Sequence, residues 1–239
     1  MEITQSNIDS LYNTITKRDT STYTCEKCKD AEYIYDITTN TAKICNCGIA
    51  KRLYKKSGIP IALQDKVFEN FKTENMPYQI LSAKRASKSY VEKFNMLQSL
   101  IFSGQVGAGK THLCIAILHE LMKKGIQVAY MQYTEVINYL KQNMINDNVF
   151  QECMSKLKDV DVLYVDDLYK GRLSESDIKI MFELINHRYL NYSPTIVSSE
   201  FDLKKILKID EAIGSRIIER AKGYIFEFEG AELNYRLRG

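Results

Sequence analysis

The chain has 239 residues, 45% hydrophobic and 26% charged, with a formal net charge of +3, which is too small to argue for nucleic acid by itself. This is the composition of an ordinary globular protein, and no apolar run approaches the roughly 18 residues needed for a membrane span. The N-terminus MEITQSNIDSLYNTITKRD is polar and has no apolar segment of the kind a secretory signal requires, so the expected setting is the cytoplasm, with no membrane partner.

Residues 7–17 form the first predicted element, a short helix. Ser6 with Asp9 makes a capping box, and Ile8, Leu11, Tyr12 and Ile15 share one face that either docks locally or is offered to a partner. Cys25 and Cys28 follow as CEKC, and Cys45 and Cys47 as CNCG. Two close thiol pairs at that separation suit a tetrahedral Zn²⁺ site, with the intervening AEYIYDITTNTAKI as a short β-hairpin and Gly48 relaxing the backbone after the last sulfur. Two disulfides are the rival pairing, disfavoured in a reducing compartment. A segment this small buries too little core to stand alone, and a bound metal supplies the missing folding energy. Cys114 and Cys153 fall in helix-like apolar stretches and read as small buried hydrophobes.

Basic residues cluster at Lys43, Lys51, Arg52, Lys55 and Lys56, and again at Lys84, Arg85, Lys88 and Lys93. They are either solvated surface or phosphate contacts for single-stranded DNA, with Tyr54, Phe68, Phe71 or Tyr90 as bases' stacking partners if those rings are not core. The stretch from Lys51 to Tyr78 reads as a connector, and the expected domains are 1–60 and 61–239.

Beyond the connector, β-like runs at 99–103, 127–132, 161–167, 195–199 and 224–230 alternate with helix-period stretches. Five strands so spaced predict an α/β fold of three layers around a parallel sheet. The first run leads into SGQVGAGKTHL, where Gly104, four residues, then Gly109-Lys110-Thr111 fit the phosphate-loop pattern. Backbone amides of Gly104, Gly107, Ala108, Gly109, Lys110, Thr111 and His112 would wrap a polyphosphate, since side chains there would only obstruct it. Lys110 reaches the β- and γ-phosphates of a nucleoside triphosphate such as ATP, and the Thr111 hydroxyl ligates Mg²⁺. The third run, DVLYVDD, ends in Asp166, expected in the Mg²⁺ shell, and Asp167, expected to polarise the attacking water. Ser174 caps a helix expected over 175–190 with Ile178, Met181, Leu184 and Ile185 inward. Arg216 and Arg220 stand four apart on one helix face, either paired with Asp210, Glu211 or Glu219 or offered in trans to a neighbour's phosphate.

From Cys25 onward the succession CEKCKD, CNCG, GQVGAGKTHL, LYVDDL, TIVSSEF, GSRIIER and NYRLRG resembles the DnaC-type replicative helicase loaders, including DnaI-like and phage-encoded relatives, within the AAA+ ATPases. The resemblance implies an AAA+ P-loop core behind a small zinc-binding N-terminal domain. It makes Arg220 the arginine finger, with Arg216 second, and Arg236 the sensor-2 arginine. It also implies an ATPase that binds a hexameric DnaB-family helicase through its N-terminal region, binds single-stranded DNA, self-associates through the ATPase domain and uses ATP as a switch in replication initiation. Two departures bear on the site: Ser198-Ser199-Glu200 stands where many relatives carry a sensor asparagine, so Ser199 takes the phosphate contact or Glu200 turns to a cation; and Asp167 is shorter than the usual glutamate, which predicts slow turnover. The rival readings are an IstB-like transposition ATPase, a small-molecule kinase on the same loop, and a helicase-binding adaptor or inhibitor whose nucleotide is only structural.

Overall fold

The computed structural model describes residues 25–74 and 76–237, so the helix expected at 7–17 lies outside the described residues. Two compact units divide between Gly48 and Ile49, inside helix α1 (Asn46–Lys56). In the first, β1 (Tyr33–Asp36) pairs antiparallel with β2 (Thr41–Ile44), in the register Tyr33 opposite Ile44 and Asp36 opposite Thr41. The expected hairpin is therefore present. Its turn is closed by Asp36, whose Oδ1 accepts from the Thr38 amide at 2.9 Å and the Thr38 hydroxyl at 2.6 Å. Every strand residue of the hairpin is exposed, so apolar burial is not what holds it.

The second unit is built on alternation. Strands β3 (Leu100–Gly104), β4 (Val128–Gln132), β5 (Val162–Asp166), β6 (Thr195–Ser198) and β7 (Ile225–Phe228) form one parallel sheet in the order β4-β5-β6-β3-β7. Because successive side chains in a strand point to opposite faces, Leu100, Phe102, Val162, Tyr164 and Ile196 join one core with α2 (Tyr78–Glu92) and α3 (Lys110–Lys123). Their neighbours Ile101, Leu163, Val165 and Val197 join a second core, with α4 (Tyr133–Gln142), α5 (Asp147–Asp159), α6 (Glu175–Leu190), α7 (Leu203–Ile209) and α8 (Glu211–Arg220). A strand buried on both faces must be apolar throughout, as LIF and VLYV are. These are the three layers and the five-stranded parallel sheet that the sequence predicts.

The order also places the site. With β3 between β6 and β7, and β5 on the far side of β6, the carboxyl ends of β3, β6 and β5 lie side by side on one edge of the sheet. Loops leaving those three strands converge where ligands bind in open parallel sheets.

Two features depart from the sequence reading. The stretch after α1 is more than a connector: Ile59, Phe68 and Phe71 are buried in the first core, and a short 3-10 turn forms at Ile61–Leu63. Gly48 is helical rather than a relaxed turn. It is bare because a Cβ there would lie 2.8 Å from the Glu32 carbonyl oxygen.

Candidate functional site

The loop after β3 is forced to be glycine. Gly104 takes φ 93°, where a Cβ would lie 2.3 Å from the Phe228 carbonyl oxygen, and Gly109 takes φ 85°, where a Cβ would lie 2.6 Å from the Phe71 ring. Gly109 is the N-cap of α3, and no side chain caps that terminus, so the first amides of the helix are left to an anion. Lys110, 6% exposed, donates from Nζ to the carbonyls of Gly104 at 2.8 Å and Gln105 at 2.7 Å. Burial pulls its pKa down, and the Asp167, Glu200 and Asp166 carboxylates oppose that shift.

The loop opens on a cleft of about 660 Å³, also bordered by Asp166, Asp167, Lys170, Glu200 and Arg236. The stretch after α1 supplies another wall, with Leu63, Lys66, Phe71 and Met76. His112 ties that wall to α3: its Nε2 lies 2.9 Å from the Val67 carbonyl, and its ring meets Phe71 edge-on at 5.0 Å. The C-terminal residues sit against the loop, the Tyr235 amide donating to the Gly107 carbonyl at 3.0 Å, which brings Arg236 to the rim.

Asp166, 5% exposed, accepts four hydroxyl donors. On Oδ1 they are Thr111 at 3.0 Å, Tyr164 at 2.5 Å and Ser198 at 2.6 Å; on Oδ2, Tyr130 at 2.9 Å. Burial and the adjacent carboxylate push both phenols up, keeping them protonated donors. Asp167 sits at φ 55°, its amide donating to Ser198 Oγ at 3.1 Å. Lys170 Nζ lies 2.8 Å from Asp167 Oδ2 and 2.8 Å from Glu200 Oε1, and both carboxylates push its pKa up.

Lys110, Thr111, Asp166, Asp167 and Arg236 thus border one cleft. Ser199 does not join them. It is fully buried, donating to the Leu168 carbonyl at 2.9 Å and accepting from the Phe201 amide, while Glu200 faces the cleft and turns to a cation, the second of the two expected arrangements. Lys170 and Ser198 were missed: a lysine three residues past the acidic pair carries no motif, and only strand order puts Ser198 beside Asp166. Of the two readings of the aromatic rings, core or stacking partner, the core one holds. Phe68, Phe71 and Tyr90 are buried core, and Tyr54 is half-buried, stacked on His119 at 5.1 Å.

Arg216 and Arg220 do not border the cleft. Among the described residues neither pairs with a carboxylate: Asp210 instead caps α8, and Glu219 accepts from the Tyr189 hydroxyl. Arg220 lies over the Tyr192 ring at 4.6 Å, and Arg216 over Phe182 at 5.3 Å and Tyr189 at 5.4 Å. Nε of both, and Nη2 of Arg220, are buried without a partner.

In the first unit the sulfurs of Cys25, Cys28, Cys45 and Cys47 lie within 4.8 Å of one another. Cys25 and Cys45 stand 3.8 Å apart and Cys28 and Cys47 3.2 Å, beyond the ~2.05 Å of a disulfide. A tetrahedron with Zn–S near 2.3 Å has edges of about 3.8 Å, so the donor set fits zinc. Amides of Lys29 and Gly48 turn back onto the carbonyls of Cys25 and Cys45 at 2.8 and 2.9 Å, folding each pair into a tight turn. Cys114 is fully buried and Cys153 half-buried.

A family model described as IstB-like ATP binding protein matches residues 53–230. The phage-like element PBSX protein XkdC of Bacillus subtilis (strain 168) is 34% identical, over 92% of this chain and 89% of its own. The replicative helicase loader DnaC of Escherichia coli (strain K12) is 27% identical over 72% of this chain and 69% of its own. The crystal structure of the DnaC helicase loader superposes with a TM-score of 0.61 at 21% identity, covering 71% of this chain and all of that one, a likeness of fold.

Proposed function

Since the chain belongs to the IstB-like ATP-binding protein family, we propose that it is an ATP-dependent loader of a DnaB-family replicative helicase onto single-stranded DNA. In this reading residues 1–60 engage the helicase and residues 61–239 form the ATPase, which self-associates and uses ATP as a switch. The observation that carries it is the 3.0 Å contact of Thr111 with Asp166 beside a helix N-terminus without a capping side chain, in a chain similar to a replicative helicase loader.

Each residue then has a task. The amides from Gly104 to His112 hold the phosphates, and Lys110 leaves the Gly104 and Gln105 carbonyls for the β- and γ-oxygens. Thr111 and Asp166 are the residues that would hold Mg²⁺, whose chemistry when bound would be to offset negative charge on the phosphates. Asp167 orients and deprotonates the attacking water, and Arg236 meets the terminal phosphate from the rim. Arg220, with Arg216 beside it, is supplied to the cleft of a neighbouring copy, where it stabilises charge on the transferring phosphoryl group. A shorter base and a ring-held arginine suit slow turnover. Cys25, Cys28, Cys45 and Cys47 would hold Zn²⁺, tying the two thiol pairs of the helicase-binding region together.

The test is loading of a DnaB-family hexamer onto closed-circular single-stranded DNA. Wild type should load it with ATP and Mg²⁺, and Lys110→Ala should not; equal loading by both would make nucleotide merely structural and the protein an adaptor. The matched family, IstB-like ATP binding protein, is shared with the second reading from the sequence, an IstB-like transposition ATPase acting with a transposase on duplex DNA. Capture from lysate separates them: a hexameric helicase supports the loader, a transposase the alternative.

A further inference from the structure

The ammonium of Lys170 is shared between two acids that arrive from different strands, Asp167 from the end of β5 and Glu200 from just beyond β6, each at 2.8 Å. The three side chains are 46%, 24% and 28% exposed, so these are partly wet ion pairs, weak enough to exchange. Asp167 is held in the left-handed region at φ 55°, and its amide is anchored on Ser198, so the backbone limits where its carboxylate can go. As long as Lys170 occupies Asp167 Oδ2, that oxygen is a poor acceptor for a proton from water. All three residues border the same cleft as the phosphate loop.

Resting on the reading of that cleft as a triphosphate site, we propose that Lys170 reads the terminal phosphate: it exchanges from the Asp167 and Glu200 carboxylates to the γ-phosphoryl oxygens, and that exchange releases Asp167 to act on water. The terminal phosphate of a triphosphate carries more charge and more acceptor oxygens than a carboxylate and so outcompetes the two acids for the ammonium. A diphosphate offers no γ-oxygens, leaves Lys170 on the acids and leaves Asp167 blocked. Glu200 is the holding partner, which gives a carboxylate a purpose at a position where direct contact with phosphate would be repulsive.

The test is nucleotide titration of the full chain with Mg²⁺, using ADP and a non-hydrolysable ATP analogue as probes. Lys170→Met should weaken triphosphate binding about tenfold, roughly 1.4 kcal/mol, and leave ADP within about twofold. Lys170→Arg should restore most of the loss, and Glu200→Gln should tighten triphosphate binding about threefold by loosening the competing site. Equal weakening of both nucleotides by Lys170→Met, or of neither, overturns the exchange while leaving the nucleotide site standing. Wild type that takes up neither probe overturns the site reading itself, and the exchange with it. Should Lys170→Met fail to fold, Glu200→Gln decides alone: unchanged or weaker triphosphate binding overturns the proposal.

Discussion

Single residues carry large and opposite duties in this chain. Arg188, 1% exposed, spends its guanidinium on six hydrogen bonds, to Thr195 Oγ1 and to the carbonyls of Leu157, Lys158, Val160, Asp161 and Pro194. Burial pulls its pKa down to about 10, so it stays charged at neutral pH and satisfies backbone at the entries of β5 and β6. Arg188→Met should cost about 3 kcal/mol in urea unfolding, because it strands those carbonyls, and Lys, with three donors on one atom, should not restore it. A loss under about 0.5 kcal/mol would show that the backbone finds other partners. The histidines of α3 give a pH signature. Burial holds His112 and His119 below the ordinary 6.5, and the His119 Nε2 has no hydrogen-bond partner. The unfolded chain therefore binds more protons as pH drops below about 6.5, so their contribution is whole above that value and is lost in acid. The thermal midpoint should fall between about pH 7.5 and pH 5.5, and the paired change His112→Gln with His119→Gln should flatten that fall.

At the scale of elements, the hairpin β1–β2 and the helix α3 are stabilised by unlike means. The α3 face is apolar from Leu113 to Leu118 and lies inside the first core, so its position follows from burial. The hairpin exposes Tyr33, Ile34, Tyr35 and Ile37, and what gathers its ends is the thiol cluster. Zinc analysis should find one ion per chain, and chelation should melt the hairpin while leaving the parallel sheet folded, read by amide exchange at Tyr33–Ile44 against Leu100–Gly104. Unchanged protection of Tyr33–Ile44 after complete metal removal would show that the hairpin needs no ion.

At the scale of the whole molecule, the arginine pair on α8 stands apart from the chain's own cleft. Arg216 and Arg220 lie on aromatic rings with buried nitrogens unpartnered and do not border their own cleft, which suits delivery to a second copy. Lys110→Ala and Arg220→Ala should each abolish ATP hydrolysis alone, and mixing the two should partly restore it, since an intact cleft then meets an intact arginine. A mixture as inactive as its components would count against action in trans. What the sequence by itself determined is what short-range chemistry encodes: the short continuous apolar runs that become the strands, the glycines that fit the φ values of the phosphate loop, the capped helix from Glu175 to Leu190, and the two thiol pairs. Only the tertiary structure decided that Ser198 meets Asp166, that Lys170 binds Asp167 and Glu200, that Phe68 and Phe71 are core rather than stacking platforms, and that Arg188 is buried. The Ser198–Asp166 and Lys170–Glu200 contacts join the ends of β5 and β6, which stand together because of the order of strands in the sheet, a property that no local spacing in the chain records.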